Sequence, residues 1–275
     1  MRKKYYIICL LLTLIGIRAS DSFAADSGTY YYFEDNSDPA VPANSGEGLF
    51  NLHYLGDTQQ TTTQAKFGKG SMLIGQKKGE APVIIKGYGV ASMPSEFNDG
   101  IRKMTISLWV RPAIQQEGSA NSFTPGFLIF ARYGGAGGVG VGYFMFAFAY
   151  KALEFNIYSE STGKIEKFRS APVKYVESDE WIHLAMTFDE GKIVFYLNGL
   201  PISDTDASSL NVTTIPESQG KSIMIGFSNS RPGDCIDDFG FWAGTAASES
   251  DIDKIYNKGI QEFVKDSGKA PAAKK

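Results

Sequence analysis

From Ile182 to Phe188 the apolar side chains fall on every second position, as Ile182, Leu184, Met186 and Phe188. A period of two puts them on one face of an extended chain, so the segment reads as a strand with one buried side. Asp189-Glu190-Gly191 supplies turn residues, and a second β-rich run then places Ile193, Phe195 and Leu197 together. Asn198-Gly199 opens another turn, because both residues tolerate the positive φ of a tight hairpin. The pattern predicts an antiparallel meander, and through it an all-β sandwich, an architecture that more often binds than catalyses.

The same signals recur along the chain. Tyr30 to Phe33 reads as a first strand, Glu34 to Gly48 as a loop, and Leu49–Tyr54, Ser71–Ile74 and Val83–Ile85 as short strands. Met104, Ile106, Leu108 and Val110 alternate on one face until Pro112, which cannot donate to a ladder, stops the run. Ala113 to Gly126 is a polar loop of the kind that often lies over a binding face. Phe127–Arg132 and Tyr143–Tyr150 are dense apolar runs, as expected of central strands. Leu153–Tyr158 alternates again, and Ser222–Phe227 and Cys235–Trp242 complete a set of about a dozen strands. A single helix is predicted near the end. Ser248 caps it, Asp251 lies three residues on, Ile252, Ile255 and Tyr256 form an apolar stripe, and Gly259 marks an end or weak point.

The termini set the organisation. Arg2, Lys3 and Lys4, then an apolar core from Tyr5 to Ile17, then Ser22-Phe23-Ala24, have the three parts of an export signal, with an uncleaved anchor as the alternative. The expected division is a signal peptide over 1–24, a β-sandwich over 25–264 and a disordered basic tail over 265–275. The expected location is secreted, periplasmic or at the cell surface. The signal holds four of the 27 basic residues and one of the 30 acids, so the remaining 251 residues are net −6. That balance argues against nucleic acid or an anionic lipid surface as partner, and no second apolar span follows the signal. Cys9 lies in the signal, which leaves Cys235 alone, without an internal disulfide, to be read as a buried small hydrophobe.

Several motifs together resemble the laminin-G-like group of the concanavalin A-like lectin/glucanase superfamily. They are Tyr32-Phe33-Glu34, Ser45-Gly46-Glu47-Gly48, Phe67-Gly68-Lys69-Gly70, Ile106 to Pro112, Trp181-Ile182-His183, Phe195 to Gly199, Ile225-Gly226, Ile236-Asp237-Asp238 and the closing helix. The resemblance implies a two-sheet antiparallel jelly roll. The sequence departs from it at Gly240-Phe241, where the group more often has a basic and an aliphatic residue. The resemblance also implies a structural Ca²⁺ where the first and last strands meet, with Asp237, Glu34 and Asp35 as ligands. Calcium accepts such a mixture of oxygen donors. Asp237 is placed on the face of Phe239 and Phe241, where a carboxylate needs a cation or hydrogen bonds in compensation. The alternative for Asp237 is an acid at the rim, hydrogen-bonded to loop amides.

Other chemistry finds little support. Glycoside cleavage needs paired acids facing the sugar, and no predicted strand carries them. Glu177, Asp179 and Glu180 read as a solvated turn, and Glu249, Asp251 and Asp253 as a helix N-terminus. His183 reads as a hydrogen-bonding residue on the polar face of its strand; with His53 it is one of only two histidines, and one mature cysteine leaves no zinc spacing. The glycine run Gly134 to Gly142 joins two strands and lacks a phosphate-loop ending. Asn211-Val212-Thr213 is a glycosylation-type tripeptide in a surface loop. Tyr133, Tyr143, Tyr150, Tyr158 and Trp242 are aromatics able to stack on sugar rings, each more often packing residues. No catalytic residue, organic cofactor or ligand subsite is assigned. The expected function is a non-catalytic recognition module for polysaccharide or a surface glycoprotein. A glycoside hydrolase or lyase and a structural surface protein are the alternatives.

Overall fold

The computed structural model describes residues 28–31, 33, 53–56, 58–74, 87–92, 100–112, 127–132, 144–149, 152–173, 180–210, 212–215, 222–226 and 233–266. Among them the chain forms fifteen strands, one α-helix and a short 3-10 turn at Ser208–Leu210. The strands are β1 (Gly28–Tyr31), β2 (His53–Gly56), β3 (Thr58–Thr61), β4 (Ser71–Ile74), β5 (Gly87–Ser92), β6 (Lys103–Arg111), β7 (Phe127–Arg132) and β8 (Phe144–Ala149). They continue with β9 (Ala152–Ser159), β10 (Lys164–Arg169), β11 (Ile182–Asp189), β12 (Lys192–Leu197), β13 (Leu200–Asp206), β14 (Ser222–Ile225) and β15 (Asp234–Ala243), and the helix is α1 (Glu249–Asp266). One sheet, A, has eight strands in the order β13-β12-β11-β6-β15-β4-β3, with β1 also on β15; the other, B, has seven in the order β10-β9-β8-β7-β14-β5-β2. The pairings between strands are antiparallel throughout.

The alternation read from the sequence decides which side chains fill the space between the sheets. Met104, Ile106, Leu108 and Val110 of β6, Leu184, Met186 and Phe188 of β11, and Ile193 and Phe195 of β12 face Phe144, Phe146 and Phe148 of β8 and Leu153, Phe155 and Ile157 of β9. Aromatic pairs cross the gap: Phe144 and Phe241 stack with centroids 6.2 Å apart, Phe146 and Phe195 at 6.4 Å, and Phe155 meets Phe188 at 6.0 Å. Burial of such rings is the main favourable term holding the sandwich together.

The meander β11-β12-β13 is as expected, with turns at Glu190-Gly191 and Asn198-Gly199 in positive φ. Three strands escape pattern reading for a common reason. β3 is Thr-Gln-Gln-Thr, β5 is rich in glycine and small residues, and β10 is a charged edge strand, so none carries an apolar alternation. The Val83–Ile85 strand, the loops at 34–48 and 113–126 and the glycine run at 134–142 lie outside the described residues, as do the signal and residues 267–275. The helix runs to Asp266, two residues into the expected tail. Ser248 caps it as predicted: its Oγ accepts from Asp251 N at 3.2 Å and donates to Asp251 Oδ2 at 2.6 Å, and its N–H reaches the same carboxylate.

The helix covers the outer face of sheet A. Ile252, Ile255, Ile260, Phe263 and Val264 pack on Ala185, Tyr196 and Trp242. Gly240, where the chain departs from the pattern of the group it resembles, explains this contact. A Cβ there would stand 2.4 Å from the Trp242 indole and 2.7 Å from Ile260 Cδ1, so only glycine admits both. The other half of the departure, Phe241, lies in the central core. The two changes are one adjustment: a glycine outside for the helix, a larger ring inside.

Candidate functional site

The expected cation ligand Asp237 lies at an irregularity in β15. Its register against β6 shifts between Asp237 and Gly240, and Asp238 takes φ 48°. The extra residue is a bulge, and it reverses the parity of the strand. Ile236, Phe239 and Phe241 all point into the central core, whereas Asp237 pairs with Trp109 on the outer side. Asp237 therefore does not share a face with the two phenylalanines, contrary to the sequence expectation. The carboxylate is 1% exposed, so it is not at a rim either. Its Oδ2 accepts from the backbone N–H of Lys66 at 2.7 Å and of Phe67 at 3.1 Å, and its Oδ1 from Asp238 N at 2.7 Å. Asp238 in turn accepts from Ile260 N at 2.7 Å. The two acids tie the β3–β4 loop and the second half of α1 to the sheet.

These amide donors compensate the burial of the Asp237 carboxylate. Their N–H dipoles converge on the carboxylate and favour its ionised form. Glu34 and Asp35, the other expected ligands, lie outside the described residues. Among the described residues no group of three or more His, Cys, Asp or Glu side chains is placed to hold a metal.

A cross-strand row next to Asp237 carries Trp109 and His183 beneath the helix. The Tyr256 ring stacks on Trp109 at 5.3 Å, Phe67 meets it edge-on at 5.8 Å, and the Lys66 ammonium sits 4.0 Å from its centroid. His183 is fully buried, with Nε2 2.9 Å from Ser107 Oγ, and its backbone is held by Asn198. Burial first, and the Lys66 charge second, push its pKa down to about 3, so the imidazole is neutral. The hydrogen-bonding role expected of His183 is its observed role, though the strand face it occupies is covered rather than open. Trp242, considered for sugar stacking, is also buried here. Cys235 is buried, and desolvation pushes its thiol up to about 12.

Acids at alternating positions on one strand do occur, on β13: Asp204 and Asp206 are both exposed on this edge strand. They correct the expectation that no strand carries such a pair. Asp206 is held below the usual carboxylate range by hydrogen bonds from Ser208, which favours the ionised form and not a proton donor. Glu180 is exposed before β11, Glu249 and Asp251 start the helix, and Glu177 and Asp179 lie outside the described residues.

The outer face of sheet B presents a different surface. With Leu153, Phe155 and Ile157 facing the core, Glu154, Asn156 and Tyr158 project the other way. Cross-strand partners extend the rows: Ala147, Glu154 and Arg169 in one, Met145, Asn156 and Lys167 in the next, and Tyr158 with Ile165 in the third. Asn156 Nδ2 donates to Glu154 Oε1 at 2.7 Å, and Arg169 Nε donates to Glu154 Oε2. Glu154 is 4% exposed and Asn156 3%, whereas Lys167 and Arg169 are exposed. The signal for this row is the alternation of Leu153–Tyr158, whose polar half supplies Glu154, Asn156 and Tyr158. Tyr158, a sequence candidate for stacking, belongs to it. Tyr133, Tyr143, Tyr150 and Asn211 lie outside the described residues.

Comparison with known proteins agrees with the geometry. Among solved structures, the binding domain of Paraclostridial Mosquitocidal Protein 1 superposes with TM-score 0.60 at 14% identity, covering 85% of this chain and 52% of that one. A botulinum neurotoxin type C structure, described by cell entry that depends on two ganglioside molecules, gives 0.57 at 15% identity, covering 86% and 52%. The botulinum neurotoxin serotype C1 binding domain gives 0.56 at 17% identity, covering 85% and 52%. The chain thus spans about half the length of these domains, and at such identities the likeness is one of fold. No curated protein matches in sequence. A family profile described as the concanavalin A-like lectin/glucanases superfamily does match, over residues 86–253, which span β5 to the start of α1. With two antiparallel sheets, a shared aromatic core and the matched segment covering more than half of its length, the chain belongs to the laminin-G-like branch of that superfamily.

Proposed function

We propose that this protein is a non-catalytic recognition module for carbohydrate, either a polysaccharide or the glycan of a surface glycoprotein. The observation that carries the reading is the contrast between the two outer faces. Helix α1 covers that of sheet A with apolar contacts, while on the outer face of sheet B the half-buried Tyr158 lies near the exposed Lys167 and Arg169 at its edge. Polar groups set among ring faces suit sugars, which need directional hydrogen bonds and a stacking surface. The fold likeness to toxin binding domains, one of them described with gangliosides, supports a binding role without identifying the ligand.

A glycan array probed with the full chain, with and without calcium and beside a reducing-sugar release assay, tests this. Retention of defined glycans without sugar release is the expected outcome; release of reducing ends would establish a hydrolase. Hydrolysis is the second reading because Asp204 and Asp206 alternate on β13. It predicts that Asp204→Asn and Asp206→Asn abolish release. Silence in both assays shifts the function to a protein partner or a structural surface role.

A further inference from the structure

The unpartnered buried side-chain atoms, Asn156 Oδ1 and His183 Nδ1 among them, are closed to solvent, so no ligand reaches them. The edge strands β13 and β10 are open instead, and most of their side chains are exposed or half-buried. Both end their sheets on the same side of the sandwich. Ser161 Oγ, in the turn between β9 and β10, donates to Leu210 O at 3.2 Å, just past β13. That contact also fixes direction: β10 starts where β13 finishes, so the two edges run antiparallel, one above the other. An open edge offers its N–H and C=O groups to any strand that matches it. Here Ala207 N donates to Gly191 O and Ser170 N to Leu153 O, so those residues turn inward. By alternation along the ladders, Asp204 and Asp206 on β13, and Lys167 and Arg169 on β10, turn their backbone groups toward the open edges.

The same residues carry charge. Asp204 pairs with Val194, which packs toward α1, so Asp204 and Asp206 lie on the outer face of sheet A, and both are exposed. Lys167 pairs with Asn156 on the outer face of sheet B and is exposed too. Arg169 is already bridged to Glu154, so Lys167 supplies the attraction. Like charges directly opposite one another on neighbouring strands are destabilising. Joining two copies β13 to β13 brings the acidic positions together, and joining them β10 to β10 brings the basic ones together. Only the mixed pairing, acidic edge to basic edge, is complementary.

We propose that the side of the sandwich formed by β13 and β10 is an interface for a second copy of this chain, β13 of each copy pairing antiparallel with β10 of the other. A two-fold axis parallel to the strands achieves this. It exchanges sheet A for sheet B across the interface and preserves strand direction, so both contacts form at once and the arrangement closes as a dimer. Setting Asp206 opposite Lys167 of the other copy places Asp204 opposite Arg169, and residues 203–206 pair with 167–170. Pro201, which has no N–H, bounds the ladder. Leu200, 65% exposed at the start of β13, then falls against residues 172–173 of the other copy. Sheet A of each copy continues into sheet B of the other.

The test is sedimentation equilibrium of the full chain over a concentration series, with melting temperature recorded for every variant. A reversible dimer that weakens with added salt is expected, because exposed charge pairs are screened. Lys167→Glu and Asp206→Lys, each measured alone, should raise the dimer dissociation constant about tenfold or more, since the two-fold axis doubles every change. Mixing the two variants sets opposite charges together at both contacts, so the mixture should dimerise about as tightly as wild type. A substitution that merely destabilises the fold gives no such rescue. A chain that stays monomeric up to about 1 mM overturns the proposal. So does a dimer whose strength neither variant changes, which lies on another surface, or weakening by both without rescue on mixing. Should Asp206→Lys fail to fold, Lys167→Glu decides alone.

Discussion

At the residue scale, His183 is the clearest case of environment overriding intrinsic chemistry. Its folded pKa of about 3 lies below the ordinary 6.5, so the unfolded chain binds the extra proton first as pH falls. The histidine thus leaves stability unchanged above about pH 6.5. Between there and pH 3 it lowers stability, by up to about 1.4 kcal/mol per pH unit. His183→Gln should flatten this part of a melting-temperature profile between pH 7 and pH 4, and an unchanged slope would show that other groups carry it. Asp237 makes a second residue-scale prediction. Three backbone donors to a buried carboxylate should make Asp237→Asn cost about 2 kcal/mol or more in denaturant unfolding. If these amides are the whole compensation, a chelator leaves the wild-type melting temperature unchanged. A calcium-dependent rise that Asp237→Asn abolishes would instead establish the cation that the family resemblance implies, since a ligand of the folded state stabilises by mass action.

At the element scale, α1 and β15 are locked to one another through irregularities in both. The bulge at Asp238 turns a carboxylate toward Ile260 N, and Gly259 breaks the helix just before it, with φ 78° and ψ 162°. That conformation is nearly confined to glycine, and a Cβ would also press on Phe67 at 3.0 Å. Gly259→Ala should therefore cost roughly 1–3 kcal/mol. It should cost more than Gly163→Ala, where φ is also positive but nothing lies within 4 Å. Equal losses in the two variants would mean that the break in α1 does not depend on its contact with Phe67. The bulge and the break are the element-level counterparts of the Gly240-Phe241 departure, and each fits the helix against the sheet.

At the scale of the whole molecule, rings from both sheets interdigitate in one core, so the sandwich should unfold in a single cooperative transition by calorimetry. Two separated transitions would contradict that. No helix among the described residues is long and apolar enough to cross a membrane. Export is the location that we propose from the amino terminus, with Ala25 as the first residue of the processed chain. Amino-terminal sequencing of protein recovered outside the cytoplasm checks it, and an intact Met1 in a membrane fraction would identify an anchor.

How much of this was legible differs between the two sheets and their faces. Period-two alternation in β6, β11 and β12 names the core residues, because a pleated strand must send alternate side chains to opposite sides. Asn198-Gly199 and the Ser248–Asp251 cap are equally local, since turn and capping preferences arise within a few residues. Gly240-Phe241 was noticed as a departure, yet its purpose needed the helix in place above it. The parity of β15 was misread because a bulge inserts a residue that no alternation rule can count. Asp237 illustrates the consequence: the sequence alone established an acid in a strand, and only the fold brought the amides of Lys66 and Phe67 to it from some 170 positions away. The same holds for Asn156, whose unpartnered oxygen exists only because β8, β9 and β10 pair in this register. The apolar strands, their core faces and the capped helix were thus determined by short-range pattern, while β3, β5 and β10 were not. Burial of His183, the role of Asp237 and the polar row on sheet B were decided by tertiary contacts between distant segments, where desolvation and hydrogen bonding are settled.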